Sequence, residues 1–258
     1  MSAGPVHLAS DDASSITDEE YAVRRDLAAC YRMIAHHEWD DLIFTHISAA
    51  VPGEEGHFLI NPYGMLFEEI TASSLVKVDL RGEKIGSNPH PINPAGFVIH
   101  SAIHEARPDV KCVLHVHTPD GVAVSAQTEG LLPISQQSTI VLASLGYHDY
   151  EGIAVRDDEK RRLAEDLDRN AHLMLRNHGL LTVGSSVPDA YLSMYNFQKA
   201  CEVQVKALAG QTPLTRVETQ VLAEVEANVD TVLKGLGASL VWPAILRKLD
   251  RLDPSYRD

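Results

Sequence analysis

Apolar positions along the chain switch between two periods. Tyr21, Leu27, Ala28, Tyr31 and Ile34 recur at helical intervals. Thr17, with Glu20 three positions on, supplies a capping box ahead of them, so a helix is predicted to about Glu38. From Leu42 to about Asp79 the pattern breaks into short runs, Ile43-Phe44-Thr45-His46-Ile47-Ser48 and His57-Phe58-Leu59-Ile60, punctuated by Pro52-Gly53 and Pro62-Tyr63-Gly64. These read as strands and turns. Asn93 precedes a helix from about Pro94 to Glu105, with proline in its first turn and Pro108 just past its end. It leads into an apolar strand, Lys111-Cys112-Val113-Leu114-His115-Val116-His117. A turn-rich stretch then runs to Gly152, followed by a charged helix from about Asp157 to Asp168, two apolar runs between Leu173 and Val183, and helices near Pro188–Ala209 and Thr215–Lys234. Short strands mixed with helices, without any internal repeat, predict a layered α/β domain over residues 16–258. Residues 1–15 are mostly small and polar and are expected to form a mobile leader.

Composition narrows the function classes. A chain of 258 residues, 45% hydrophobic, can bury a full core. Its 22 basic and 36 acidic residues leave a net charge of −14, which repels nucleic-acid phosphates and anionic membranes and excludes both as expected partners. No stretch of about 18 apolar residues occurs, and the N-terminus lacks the basic start and apolar core of a signal peptide, so a cytoplasmic location is expected. Cys30, Cys112 and Cys201 are far apart among apolar neighbours and read as reduced core thiols.

The histidines carry the candidate chemistry. His115 and His117 alternate along a strand, so both imidazoles leave the same face. His178 follows sixty residues later in Arg176-Asn177-His178-Gly179, at a glycine-marked break between two apolar runs where a side chain can face a cleft. Three neutral imidazoles are a common protein share of a catalytic metal site. His100 and His104 stand at i, i+4 on the Pro94 helix and suit a structural or supporting role. His46 lies in a short apolar-rich strand, as a core hydrogen-bonder or an active-site donor. Gln136 and Gln137 could orient a substrate or cap a turn, and His148, in Tyr147-His148-Asp149-Tyr150, could shuttle protons beside a carboxylate or pack in a turn.

Taken together, Arg107-Pro108-Asp109-Val110, His115-Val116-His117-Thr118-Pro119, Arg176-Asn177-His178-Gly179-Leu180 and Val183-Gly184 resemble the class II aldolase/adducin family over roughly Tyr21 to Gly210. The resemblance implies a three-layer α/β/α domain around a largely antiparallel sheet, assembled as a homotetramer with sites at subunit interfaces. It implies that His115, His117 and His178 hold a divalent metal, zinc first, with manganese or iron as alternatives. It also places His100 at a family histidine outside the metal shell, and His46 at a substrate-contacting position.

Two departures from the aldolase pattern bear on the reaction. Where fuculose-phosphate aldolase-like members carry Pro-Ser-Ser-Glu, this chain reads Asn93-Pro94-Ala95-Gly96, which offers neither the acid/base carboxylate nor the phosphate-binding hydroxyls. Where they carry Gly-Asn before the first strand's serine, it reads Thr45-His46-Ile47-Ser48. Both departures are similar to the adducin-head branch and to bacterial-type metal-dependent decarboxylases. The expectation is therefore a metal-dependent carbon–carbon lyase, decarboxylase or aldolase, acting on a small anionic oxo, hydroxy or aromatic acid. Its alternatives are a non-catalytic adducin-like assembly module and an iron-dependent oxygenase on the same scaffold.

Overall fold

A computed structural model describes residues 16–152, 157–233 and 235–258; the expected leader lies outside them. The chain runs α1 (Asp18–His36), β1 (His46–Ala50), β2 (His57–Ile60), β3 (Val76–Asp79), β4 (Lys84–Ile85), α2 (Pro94–Ala106) and β5 (Cys112–Val116). It continues through α3 (Pro119–Ser125), α4 (Gln136–Leu142), β6 (Leu145–His148), α5 (Asp157–Leu167), β7 (His172–Leu175), β8 (Gly179–Gly184), α6 (Val187–Ala209), α7 (Thr219–Leu233) and α8 (Trp242–Leu252). The eight strands form one sheet in the order β4-β3-β2-β1-β5-β8-β7-β6, antiparallel at every step except β6–β7.

Strand alternation divides the core into two layers of packing. Ile47, Ala49, Cys112, Leu114 and Val116 face α1, α6 and α8, where Leu27, Tyr31, Tyr191, Met194, Phe197 and Trp242 complete the larger cluster. The opposite parity, Val113, Leu173, Leu175, Leu181 and Val183, meets Ile99 and Ile103 of α2 and Leu163 and Leu167 of α5. This gives helices on both faces of a largely antiparallel sheet. Each such buried aliphatic side chain stabilises the fold by about 1.5–3 kcal/mol. His46, Ser48, His115 and His117 share the α2 parity, so the covering helix determines what these polar groups meet.

Several elements depart from the pattern reading. The stretch read as turns up to Gly152 contains α3, α4 and β6; each helix is seven residues, too short to show a period, and Leu145-Gly146-Tyr147-His148 has no alternation. The last expected helix starts at Thr219, and α8 was not expected, although Trp242, Ile245, Leu246 and Leu249 carry the helical period and pack on the core. Thr17 caps α1 by accepting from the Glu20 N–H at 3.1 Å, but Glu20 does not close the box. Its carboxylate is buried against Arg24 (2.8 Å) and Lys77 (2.7 Å), an ion-paired site that outcompetes the exposed cap. All three cysteines are free and buried, and burial pushes their thiols up, which keeps them protonated. Among the described residues no single helix is long and apolar enough to cross a membrane.

Candidate metal centre

Three secondary-structure decisions bring the histidines together. The β1–β5 register sets His46 opposite His115, and His117 follows directly after β5. The β7–β8 hairpin then delivers His178 from a turn in which Asn177 has φ 56°, a left-handed conformation that asparagine tolerates better than most residues. Gly179 follows because β8 there crowds β5: a Cβ would lie 2.4 Å from the Val116 carbonyl oxygen and 3.1 Å from His117 Cδ2. The Asn-His-Gly sequence is thus a turn residue, a projecting imidazole and a close backbone approach. Arg176 secures the hairpin tip by donating to the Gln127 carbonyl at 2.8 Å and lying over the Tyr147 ring.

The ring nitrogens show what the cluster can hold. His115 Nε2 lies 2.8 Å from His117 Nε2, which lies 2.9 Å from His178 Nε2. His115 Nδ1 faces the Leu180 carbonyl at 3.0 Å, and His117 Nδ1 faces Asp41 Oδ2 at 3.0 Å. A carbonyl and a carboxylate can only accept, so both Nδ1 atoms carry the proton, and both Nε2 atoms present lone pairs to each other. Like lone pairs within 3 Å repel, and a cation between them turns the contact into a favourable one. The three donor atoms fall within 4.8 Å of one another, and the Asp41 and Leu180 contacts are the second-layer hydrogen bonds that fix ligand tautomers in metal sites.

Electrostatics points the same way. Burial, then the neighbouring His117, His178 and His46, pushes His115 well below the usual imidazole range, against the pull of the Leu180 carbonyl. Burial, then His117 and His148, lowers His178 to about 4. Both rings are therefore neutral at physiological pH, the state that ligates a divalent ion.

His46 stands beside the triad, its ring centre 5.1 Å from that of His115. Burial, then His117 and His178, lowers it to about 3. Its free edge lies over Gly96 at the start of α2: a Cβ there would sit 2.4 Å from His46 Cδ2 and 2.8 Å from Nε2. The missing carboxylate at position 96 and the imidazole at position 46 are thus one arrangement, since the ring occupies the volume a side chain at 96 would need.

The remaining candidates make their hydrogen bonds elsewhere. His148 ends β6 with Nδ1 on Asp166 (2.7 Å) and Nε2 facing Glu159 (3.6 Å), so its nitrogens turn to the acids of α5. Gln136 and Gln137 open α4, capped by Ser135, and neither side chain hydrogen-bonds the triad or His46 among the described residues. A cleft of about 480 Å³ beside the hairpin tip is lined by Thr128, Asp149, Tyr150, Arg176 and Asn177, and the Tyr150 ring centre is 6.4 Å from that of His178. Sequence reasoning missed Asp41 and Ser48. Asp41 sits in an irregular loop with no periodic cue, whereas Ser48 shares the parity of His46 and was open to detection.

Comparison with known proteins identifies the family. The profile of the Class II Aldolase and Adducin N-terminal domain matches residues 25–205. The chain is 55% identical over 253 residues to a Pseudomonas aeruginosa protein named for the class 2 aldolases, covering 97% of each. It is 47% identical over 205 residues to rat alpha-adducin, covering 78% of this chain but 28% of the adducin. The crystal structure of an aldolase II superfamily protein from Pseudomonas syringae superposes with a TM-score of 0.90 at 47% identity, covering 94% of this chain and 98% of that one. The chain belongs to the class II aldolase and adducin family.

Proposed function

We propose that the chain is a metal-dependent carbon–carbon lyase acting on a small oxo, hydroxy or aromatic acid. The observation that carries this is the convergence of three Nε2 lone pairs whose opposite nitrogens, in His115 and His117, are committed to acceptors. Zinc suits three imidazoles best, with manganese or iron favoured where substrate oxygens complete the set. A divalent cation held there would act as a Lewis acid on the substrate's carboxylate and adjacent oxygen and stabilise the charge left when the carbon–carbon bond breaks. Arg176, in the neighbouring cleft, supplies positive charge for an anionic substrate. Gly96 offers no carboxylate to remove a proton. This favours decarboxylation, which needs no strong base, or cleavage of an unphosphorylated aldol, with His46 the side chain placed to hold a substrate proton. Leu42, Phe44 and Tyr150 are exposed apolar residues near Asp41 and His178, and we assign them to the interface of a homotetramer.

The identity with alpha-adducin supports a second reading, an assembly module without catalysis. Elemental analysis of tag-free protein, beside a His178→Ala variant, separates the two. About one zinc, manganese or iron per chain, lost in the variant, supports the lyase and chooses the substrates to screen. Absence of metal after reconstitution overturns it in favour of assembly.

A further inference from the structure

Two separate spaces are joined through the protein by a line of hydrogen-bonded side chains. His46 Nδ1 lies 2.7 Å from His100 Nε2, His100 Nδ1 lies 2.5 Å from Ser48 Oγ, and Ser48 Oγ lies 2.8 Å from His104 Nε2. One end is His46, whose ring centre stands 5.1 Å from that of His115 beside the triad. The other is His104, in the wall of a second cavity of about 780 Å³ with Glu54, Glu105 and Lys111. The line follows α2 from its first turn, where Gly96 meets the His46 ring, to His104 in its last, a rise of about 12 Å.

Every member can give a proton on one side while taking one on the other. A neutral imidazole has one N–H and one lone pair, and a hydroxyl has an O–H and lone pairs. The bonds can therefore all run toward His46 or all toward His104, and the distances fit both orders. A proton taken in at one end pushes one out at the other, and the order reverses without charge residing on an interior ring. This route matters because burial holds His100 well below the usual imidazole range and lowers His46 to about 3, so a lone charged ring is costly.

Reversal also limits what the line can do. His100 is fully buried and bonded through both nitrogens, so a ring flip would break both bonds at once. Without a flip, each passage must be followed by one in the opposite direction. A net uptake of one proton per turnover, as in decarboxylation, leaves the line in the wrong order. A reaction in which a proton leaves and one returns restores it, and aldol cleavage is such a reaction. The substrate hydroxyl gives its proton to His46 Nε2 as the O–H pair becomes the new C=O. The C–C bond pair passes to the carbon of the departing acid, which takes a proton back from His46 Nε2.

We infer that His46, His100, Ser48 and His104 form a reversible proton relay between the triad and the second cavity, suited to cleavage of a 4-hydroxy-2-oxo acid. The carboxylate and 2-oxo group of such an acid supply the adjacent oxygens that a cation at the triad would hold. The choice of reaction rests on the lyase reading; the relay does not.

The relay is tested in metal-free protein labelled with 15N-histidine, by transfer of water magnetisation to the ring N–H protons of His46 and His100. Their signals are assigned by loss in His46→Gln and His100→Gln, and they should exchange faster than the buried β1 amides. In His104→Gln the amide still hydrogen-bonds Ser48 but cannot complete a transfer, and Ser48→Ala opens a gap. Exchange should slow about tenfold or more in each, the equivalent of one pKa unit in charging a ring. Ser48→Thr keeps the hydroxyl and should keep the wild-type rate. Wild-type ring protons no faster than the β1 amides, exchange unmoved by His104→Gln, or equal slowing in Ser48→Thr overturns the relay. The reaction is tested in zinc-loaded protein, its metal content measured on the same sample, with 4-hydroxy-2-oxobutanoate for cleavage and oxaloacetate for decarboxylation. His104→Gln should lower kcat on the first acid about tenfold with KM unchanged, and the loss should be smaller on the second. No cleavage of the first acid, or equal losses on both, overturns the aldol assignment. A sample that takes up no zinc refutes the lyase reading and leaves the exchange result standing.

Discussion

Replacing Gly96 with alanine tests whether positions 46 and 96 share one volume. The new Cβ would lie 2.4 Å from His46 Cδ2 and 2.8 Å from Cγ and Nε2, inside any tolerable contact. The ring has little freedom to retreat, because Nδ1 is bonded to His100 at 2.7 Å and the residue is 3% exposed. Overpacking of this kind costs about 1–3 kcal/mol. If the ring instead gives up His100, that nitrogen is stranded in the core at a further cost of about 1–3 kcal/mol. In a His46→Ala background the volume is vacant, and Gly96→Ala should then be neutral or stabilising by up to about 1 kcal/mol, the helix preference of alanine over glycine. The two substitutions should therefore couple by at least about 1 kcal/mol, beyond the 0.3–0.5 kcal/mol scatter of independent sites. Urea unfolding of the four proteins at one fixed concentration, with equal m-values, measures the coupling. An equal cost for Gly96→Ala in both backgrounds would refute the shared-volume argument.

Asp41→Ala should weaken zinc binding about 10- to 100-fold in a competitive-chelator titration, because His117 Nδ1 loses the acceptor that fixes its tautomer. Glu20→Ala should destabilise the fold by about 3–5 kcal/mol in denaturant unfolding, since it strips a partner from Arg24 and Lys77 in a buried network. Burial lowers His172 and His104 to about 4, Lys111 adding to the effect at His104. Between about pH 4 and 6.5 the unfolded chain thus binds more protons, and stability should fall on acidification through that window and level off above it. His172→Phe should flatten the slope measured by denaturant unfolding across pH; an unchanged slope would show that His172 does not contribute.

Legibility in the sequence followed the length of each periodic signal. α1, α2 and α6 were readable to within a residue or two, because each repeats its apolar stripe over at least three turns, and α5 was readable as a run of charged helix-forming residues closed by Leu163 and Leu167. α3 and α4 were not, since two turns cannot establish a period and tertiary packing against α6 stabilises them. The triad was legible for a related reason: strand alternation fixes two of its members on one face, and an Asn-His-Gly turn marks the third. The acceptors that orient it, Asp41 and the Leu180 carbonyl, come from an irregular loop and a main-chain atom, neither of which leaves a pattern in the residue letters.

Gly96 and His46 show what a linear reading separates. In sequence they are two departures fifty positions apart, one a lost carboxylate and the other a gained imidazole. In space the ring fills the volume above the glycine, so a side chain at 96 would evict it. The exchange also changes what the site can do. A carboxylate on the first turn of α2 could accept a proton from any direction its torsions allow, whereas the imidazole on β1 is tied through His100 and Ser48 to a single ring orientation. A freely adjustable acid/base is thereby replaced by an imidazole held at one point beside the histidine triad. Geometry at that point, rather than the reach of a flexible carboxylate, then governs how a bound acid can meet the ring.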